Sequence, residues 1–338
     1  MSDVTQPARP AGVREVARLA GVSTQTVSRV INDYPHIRPE TRIRVLDAMR
    51  VLDYRVNNAA RALGTASTRT IGVIATDATL YGPTVGITAL AEAAREAGRW
   101  IATAYADASD PAAIDSAVAH VLAQGIDGLV LVAPHARMIS LLRERALGVP
   151  VAALHADEGA AAQHEGAALA ARHLLDRGHR RIGRLGGPVD WLEEAARAEG
   201  AVAALERAGT ALSHQWRGDW SARSGAAVAR EVAAAVRAGE LTAVLAANDQ
   251  MALGLMAGLA EEGIRIPDEL AVVGFDDNPD AAFYSPALTS VRVDVLGDAR
   301  RCVAHVLGSA RPAAPRHTSG REGAPRLVAR ASSEPGRG

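Results

Sequence analysis

The sequence predicts an α/β protein with a small all-helical head. Three observations carry this prediction. A helix-turn-helix pattern occupies Val13–Asn32. From Thr70 onward, short apolar runs alternate with longer amphipathic segments. Charge divides at the same place: residues 1–69 hold 11 Arg against 6 Asp and Glu, and the remainder holds 26 against 32. The overall net charge of −1 therefore conceals a basic head on a mildly acidic body. A basic head suits a polyanionic partner.

At 338 residues the chain is long enough for two or three domains. It contains no run of 18 or more apolar residues, so a membrane span is not expected. Residues 1–11 lack the apolar stretch of a signal peptide and read as a disordered lead-in, which makes a cytoplasmic location the default. The single cysteine, Cys302, excludes an internal disulfide and a cysteine zinc cluster. All basic residues are Arg. The ten His include no pair at a metal-ligand spacing, and no cofactor or metal is called for.

In the head, Val13, Val16, Ala17 and Ala20 share one helical face. Gly21 follows, where a left-handed residue ends a helix at low cost. Ser23 is placed to cap a second helix whose Val27, Val30 and Ile31 point one way. Thr24, Gln25, Ser28 and Arg29 point the other way, and Asn32 closes the run. Two short helices about a Gly-containing turn, with a polar second helix, fit insertion into a DNA major groove. Gln pairs with adenine, Arg with guanine, and Thr contacts a thymine methyl. Pro39 begins a third helix with an apolar stripe of Leu46, Met49 and Leu52. Asn57–Leu63 can form a further short helix stopped by Gly64.

In the body, TIGVIAT, WIATAYA, DGLVLVA and PVAALH read as buried strands, with helices at 83–97, 110–124 and 137–146. RRIGRLGG, LTAVLAAND and ELAVVGFDD form a second set, with helices near 191–208, 221–238 and 249–262. Two such α/β lobes make a cleft, and ligands sit beyond the carboxyl ends of the strands. Polar residues gather there: Asn248–Asp249 and Asp276–Asp277. Asp249 reads as an N-cap of the following helix more readily than as a ligand contact.

The motifs VREVARLAGVSTQTVSRVIN, RPETRIRVLDAM, DYRVNNAARAL, GHRRIGRLGGP, GDWSARSG and AANDQMALGLMAGLAEEGIRIPDELAVVGFDD resemble the LacI/GalR family of bacterial repressors from about residue 12 to 332. The resemblance implies a helix-turn-helix DNA-binding domain (12–56) and a hinge helix with linker (57–69). It further implies a two-lobed periplasmic-binding-protein-like, Rossmann-like body (70–332) for ligand binding and dimerisation. Residues 333–338 read as a disordered tail without leucine heptads, so a homodimer is expected rather than a tetramer.

Carried over residue by residue, the family pattern puts Thr24, Gln25 and Arg29 on operator bases, and Ser28 and Asn32 are further DNA-binding candidates on the same helix. The pattern puts Tyr54 and Asn57 near phosphates and makes Leu63 a minor-groove wedge. The family's usual hinge proline is Val56 here. In the body, Arg197, Asn248, Asp276 and Trp220 match ligand-binding positions, and Leu80, Tyr81 and Pro83 match the loop lining the apolar end of the pocket. Trp191 is an additional aromatic, either a second platform or a core residue. His155 stands where relatives commonly carry Asp, and either meets the ligand or is solvated. Arg supplies a bidentate fork, Asn a paired donor and acceptor, and Trp a face for the C–H side of a pyranose.

The implied partners are near-palindromic double-stranded operator DNA and a small sugar effector, galactosides or β-glucosides foremost. A purine- or nucleoside-responsive corepressor-type regulator is the other reading. A sugar transport protein shares the body but lacks a DNA head. An enzyme is disfavoured: P-loop, GxSxG, HExxH and dinucleotide fingerprints are missing, adjacency of Asp276 and Asp277 does not guarantee the carboxylate spacing of a glycosidase, and the resemblance gives them a binding role.

Overall fold

Gly12 and Gly21 bracket helix α1 (Val13–Ala20). The Gly12 amide donates to Glu15 Oε2 at 2.9 Å, and Gly21 ends the helix in the left-handed region at φ 63°. Ser23 Oγ then accepts from the Thr26 amide at 3.0 Å and starts α2 (Thr24–Ile31). Pro39 sits in the first turn of α3 (Pro39–Val51). Val16, Ala17, Ala20, Val27, Val30, Val45 and Ala48 form the core of the head. The stripe expected on α3 is therefore rotated. Val45 and Ala48 are buried, Met49 and Leu52 pack at the edge, and Leu46 is exposed. The cause is small side chains: three helices this short approach closely through Val and Ala.

The structure is a computed structural model that describes residues 11–32, 34–55, 67–77, 79–133, 135–308 and 323–334. The expectations for Val56, Asn57, Leu63 and the hinge helix lie outside the described residues, as do those for residues 1–10. The chain divides into two compact units, 1–68 and 69–338.

The first lobe of the body is a four-stranded parallel sheet in the order β2-β1-β3-β4. Its strands are β1 (Thr70–Ala75), β2 (Trp100–Tyr105), β3 (Gly128–Val132) and β4 (Val151–Ala153). Helices α4 (Tyr81–Glu96), α5 (Pro111–Leu122) and α6 (Ala136–Arg143) connect them. The second lobe begins with α7 (Glu158–Asp176), β5 (Ile182–Gly186), α8 (Leu192–Arg207) and β6 (Leu212–Arg217). It continues through α9 (Ala222–Ala227), α10 (Ala229–Arg237), β7 (Ala243–Ala246), α11 (Asp249–Glu261), β8 (Ala271–Phe275) and β9 (Thr289–Arg292). Helix α12 (Val295–Val306) packs on α4, β3 and β4 of the first lobe, and β10 (Arg326–Val328) belongs to the second sheet. That sheet runs β10-β9-β8-β7-β5-β6, parallel except for β10 on β9.

Strands β3, β5, β7 and β8 are buried at every residue. Helices on both faces of a parallel sheet require that pattern. The expected helix at 221–238 is two helices that meet at Val228. Helix α7 and strands β6, β9 and β10 add to the elements expected. The assigned tail is also shorter: Ser333 is buried and its Oγ lies 2.7 Å from both Thr289 Oγ1 and His173 Nε2. Glu334 pairs with Arg177. The chain is thus anchored through Glu334, and residues 335–338 lie outside the described set.

Candidate nucleic-acid face and ligand cavity

Burial of Val27 and Val30 fixes the rotation of α2, which leaves Thr24, Gln25, Ser28 and Arg29 exposed on one side. The Arg29 guanidinium lies 5.5 Å from the Tyr34 ring centroid, a cation–π contact that limits where the side chain can swing. Asn32 forms the C-cap of α2 and donates weakly to Ser28 Oγ at 3.4 Å. Tyr54 packs against the edge of the head core, and burial raises its pKa above the ordinary phenol value.

In the body, a cavity of about 550 Å³ opens between the lobes. It is walled by residues that follow the carboxyl ends of parallel strands. Leu80, Tyr81 and Pro83 follow β1, and His155 follows β4. Trp191 and Arg197 follow β5, Trp220 follows β6, Asn248 follows β7 and Asp276 follows β8. The structure thus brings all nine sequence-derived candidates to one cavity.

Arg197 is the hub. Its Nε–H donates to Gln163 Oε1 at 2.8 Å, its Nη1 to the Ala247 carbonyl and its Nη2 to Asp276 Oδ1 at 3.1 Å. The guanidinium also lies 3.8 Å from the Phe275 ring centroid and 5.7 Å from that of Trp220. Three of the five guanidinium N–H groups thus donate to protein acceptors. Asp276 takes φ 104°, a strained value for a non-glycine residue. Burial raises its pKa, against the lowering effects of the Arg197 and His155 charges.

Three expectations change. Asn248, not Asp249, caps α11: its Oδ1 accepts from the Met251 amide at 2.8 Å and its Nδ2 donates to the Trp220 carbonyl at 3.0 Å. Its amide therefore holds the Trp220 loop, which qualifies the reading of Asn248 as a free cleft amide. Asp249 is fully buried and accepts from Ser290 Oγ at 2.6 Å and the Asn278 amide at 2.8 Å. Burial, reinforced by the Asp276 charge, pushes its pKa well above the usual carboxylate value. His155 is buried, not solvated. Its amide donates to Asp298 Oδ2 at 2.7 Å and its Nδ1 lies 3.2 Å from Gln163 Nε2.

The two tryptophans meet edge to face with centroids 5.5 Å apart. Trp191 is both wall and core, and His135 packs on its other side at 4.9 Å. Trp220 takes φ 73°, and its ring lies so close to Gly187 that a Cβ there would overlap it. Asp277 does not act with Asp276 as an acid/base pair. It is locked between Arg292 and Arg330, with Arg330 Nη2 at 2.6 Å. The sequence reading missed Gln163 and Glu193, which also line the cavity.

The lobes touch at the rim of the cavity. The Tyr81 amide donates to Gln250 Oε1 at 3.2 Å, the Ala136 amide to the Asp190 carbonyl at 2.9 Å, and His135 Nδ1 lies 2.8 Å from Asp190 Oδ2. The His135 bond holds the Asp190 carboxyl below its ordinary pKa. Among the described residues no His, Cys, Asp and Glu cluster could hold a metal ion, and no helix is long and apolar enough to cross a membrane.

Residues 12–57 match the family model described as bacterial regulatory proteins, lacI family, and residues 171–333 match a periplasmic binding protein-like domain. The lactose operon repressor of Escherichia coli K12 is 33% identical over 294 residues, covering 85% of this chain and 81% of the relative. The regulator GalS of Salmonella typhimurium is 34% identical over 303 residues, covering 85% and 86%. The repressor PurR of Mannheimia succiniciproducens is 30% identical over 293 residues, covering 83% and 86%. A solved Lac repressor dimer bound to operator and the anti-inducer ONPF superposes with a TM-score of 0.73 at 28% identity, covering 96% of this chain and 99% of that one. A CelR–cellobiose complex gives 0.64 at 26%, covering 96% and 100%. With a capped recognition helix, a two-sheet body and these relatives, the chain belongs to the lacI family of bacterial regulatory proteins and is a DNA-binding transcriptional regulator, not an enzyme.

Proposed function

We propose that this regulator is a homodimeric repressor of carbohydrate-use genes, released from a near-palindromic operator by a small sugar, with a galactoside or β-glucoside as the leading candidates. One observation carries the sugar reading. Two indole rings adjoin the Arg197–Asp276 pair in one cavity, so an apolar sugar face and its hydroxyl edge both find complements. Relatives named for lactose and a structure holding cellobiose support it. PurR relatives keep a purine-type corepressor as the second reading, because the edge-to-face tryptophans also give the cavity an aromatic wall suited to a flat base.

In this reading Thr24, Gln25, Ser28 and Arg29 contact bases, and the two heads of a dimer meet the two half-sites. The effector alters the angle between lobes that touch through Tyr81–Gln250 and His135–Asp190. It acts as an inducer only by binding the operator-free state more tightly than the operator-bound one. Fluorescence anisotropy on operator DNA, with and without lactose, cellobiose, methyl β-glucoside and hypoxanthine, tests this. Release by a saccharide supports the sugar reading, and tightening by hypoxanthine alone overturns it. Arg29→Ala should lose operator discrimination while saccharide binding persists.

A further inference from the structure

The loop after the second helix of the head turns back onto that helix. The Tyr34 amide donates to the Arg29 carbonyl at 2.9 Å, and Arg42 Nη2 on α3 donates to the Tyr34 carbonyl at 3.3 Å. Pro35 follows and restricts the Tyr34 backbone further. The main chain of Tyr34 is thus tied to both flanking helices. Its side chain is half exposed and takes no part in the Val and Ala core of the head. The ring instead meets two neighbours. The Arg29 guanidinium lies over it, 5.5 Å from the centroid, and the His36 ring meets it edge to face at 6.1 Å. Arg29 is the one cation in the α2 sequence TQTVSRVI, and it stands on the exposed face with Thr24, Gln25 and Ser28. An arginine side chain free to turn reaches phosphates as readily as bases, and phosphate contacts carry no sequence information. Discrimination requires the planar fork to be held in one place. Tyr34 supplies that restraint from outside α2.

We propose that Tyr34 is a positioning residue for base readout: its ring holds the Arg29 guanidinium where the fork meets a guanine edge, and so sets the base preference at one position of each half-site. This rests on the reading above that Arg29 contacts a base. A fork so held pairs with guanine O6 and N7, whereas a released one can turn to the backbone. Loss of the ring therefore costs selectivity at one base pair more than it costs total affinity. The ring face provides the attraction, so the phenol hydroxyl is not required.

The test uses the full chain as wild type, Arg29→Ala, Tyr34→Phe, Tyr34→Leu and the double variant Arg29→Ala/Tyr34→Leu. Selection from random-sequence duplex DNA gives the wild-type half-site. Competition binding against each single-base variant of that site then gives the base preference position by position. Arg29→Ala identifies the guanine that Arg29 reads. At that base pair Tyr34→Leu should lose roughly two- to fivefold in preference, the worth of an exposed cation–π contact, while preferences at the other positions hold. Tyr34→Phe should keep the wild-type preference, and Tyr34→Leu should add nothing to Arg29→Ala. A tyrosine that only supports the fold would shift every position together. A phosphate contact through the hydroxyl would weaken all sequences alike and would be lost in Tyr34→Phe as well. Either of these results overturns the assignment, as does an unchanged preference in Tyr34→Leu. If Arg29→Ala leaves every position unchanged, Arg29 is not a base contact, and this inference falls with that reading.

Discussion

Arg197 Nε–H donates to Gln163 Oε1 at 2.8 Å, and this bond decides which way the Gln163 amide faces. With its oxygen turned to Arg197, the amide presents Nε2 to His155 Nδ1 at 3.2 Å. The His155 main-chain amide in turn is held by Asp298 on α12. A continuous bonded path therefore runs from Asp276 in the second lobe to a helix packed on the first. Each member is buried or nearly so, and a satisfied polar network of this kind fixes one arrangement of its parts.

The first prediction concerns the middle of that path. Gln163→Leu removes both bonds and leaves the buried Arg197 Nε–H without its acceptor, while the His155 ring keeps only Asp298 Oδ2, 3.2 Å from its Nδ1. Stability should fall by about 1–3 kcal/mol, read by denaturant unfolding. Under the proposed sugar reading, saccharide affinity should also fall as Arg197 loses its orientation. Unchanged affinity together with unchanged stability would show that the network does not position Arg197.

How far the cavity was legible in the sequence follows from the same residues. Positions after strand ends were readable because parallel α/β topology puts them all on one rim. Gln163 and Glu193 were not. Gln163 lies in an Ala-rich helix whose apolar periodicity is weak, and only the tertiary approach of α7 to α8 brings it to Arg197. Glu193 looks in sequence like any acidic residue in a first helical turn. The exchange of roles between Asn248 and Asp249 has a similar origin. Both side chains can cap a helix, and the extended backbone at Asn248, φ −149° and ψ 167°, selects it. Strand β6 escaped notice because its residues alternate between exposed and half-buried at a sheet edge, without an apolar run.

Asp249→Ala is the second prediction. Asp249 accepts from the Asn278 amide and Ser290 Oγ, so truncation leaves two buried donors unpaired beneath the β8 loop that carries Asp276. A loss of about 2–4 kcal/mol is expected, more than for Asp249→Asn, whose amide oxygen can still accept. Thermal unfolding of the three proteins checks the order.

A third prediction concerns backbone proximity. Helices α9 and α11 approach so closely that a Cβ at Gly254 would overlap the Ala222 carbonyl oxygen. A backbone atom cannot turn aside as a long side chain can. Gly254→Ala should therefore destabilise by about 1–3 kcal/mol or more, although alanine has the higher helix propensity. Stabilisation on calorimetric melting would mean that the two helices separate freely.

The fourth prediction is a pH dependence. His173 is buried, with Nδ1 accepting from Arg177 Nη1 at 2.9 Å and Nε2–H donating to Ser333 Oγ at 2.7 Å. That pattern belongs to the neutral ring. Burial first, and then the Arg177 charge, lower its pKa from 6.5 to about 4. In the unfolded chain the ring takes up a proton below about pH 6.5. The folded protein resists until about pH 4. Between those values the unfolded state holds more protons, so the contribution of His173 is whole above pH 6.5 and declines as pH falls toward 4. His179, lowered by burial and by the same arginine, acts in the same direction. Asp249, whose pKa is raised, acts in the opposite one. Comparison with a variant isolates the histidine: His173→Gln can still donate to Ser333 and accept from Arg177, but does not titrate. Its melting temperature should fall less steeply than that of wild type between pH 6.5 and 4. Parallel profiles for the two proteins would show that the buried ring does not govern acid stability in that window.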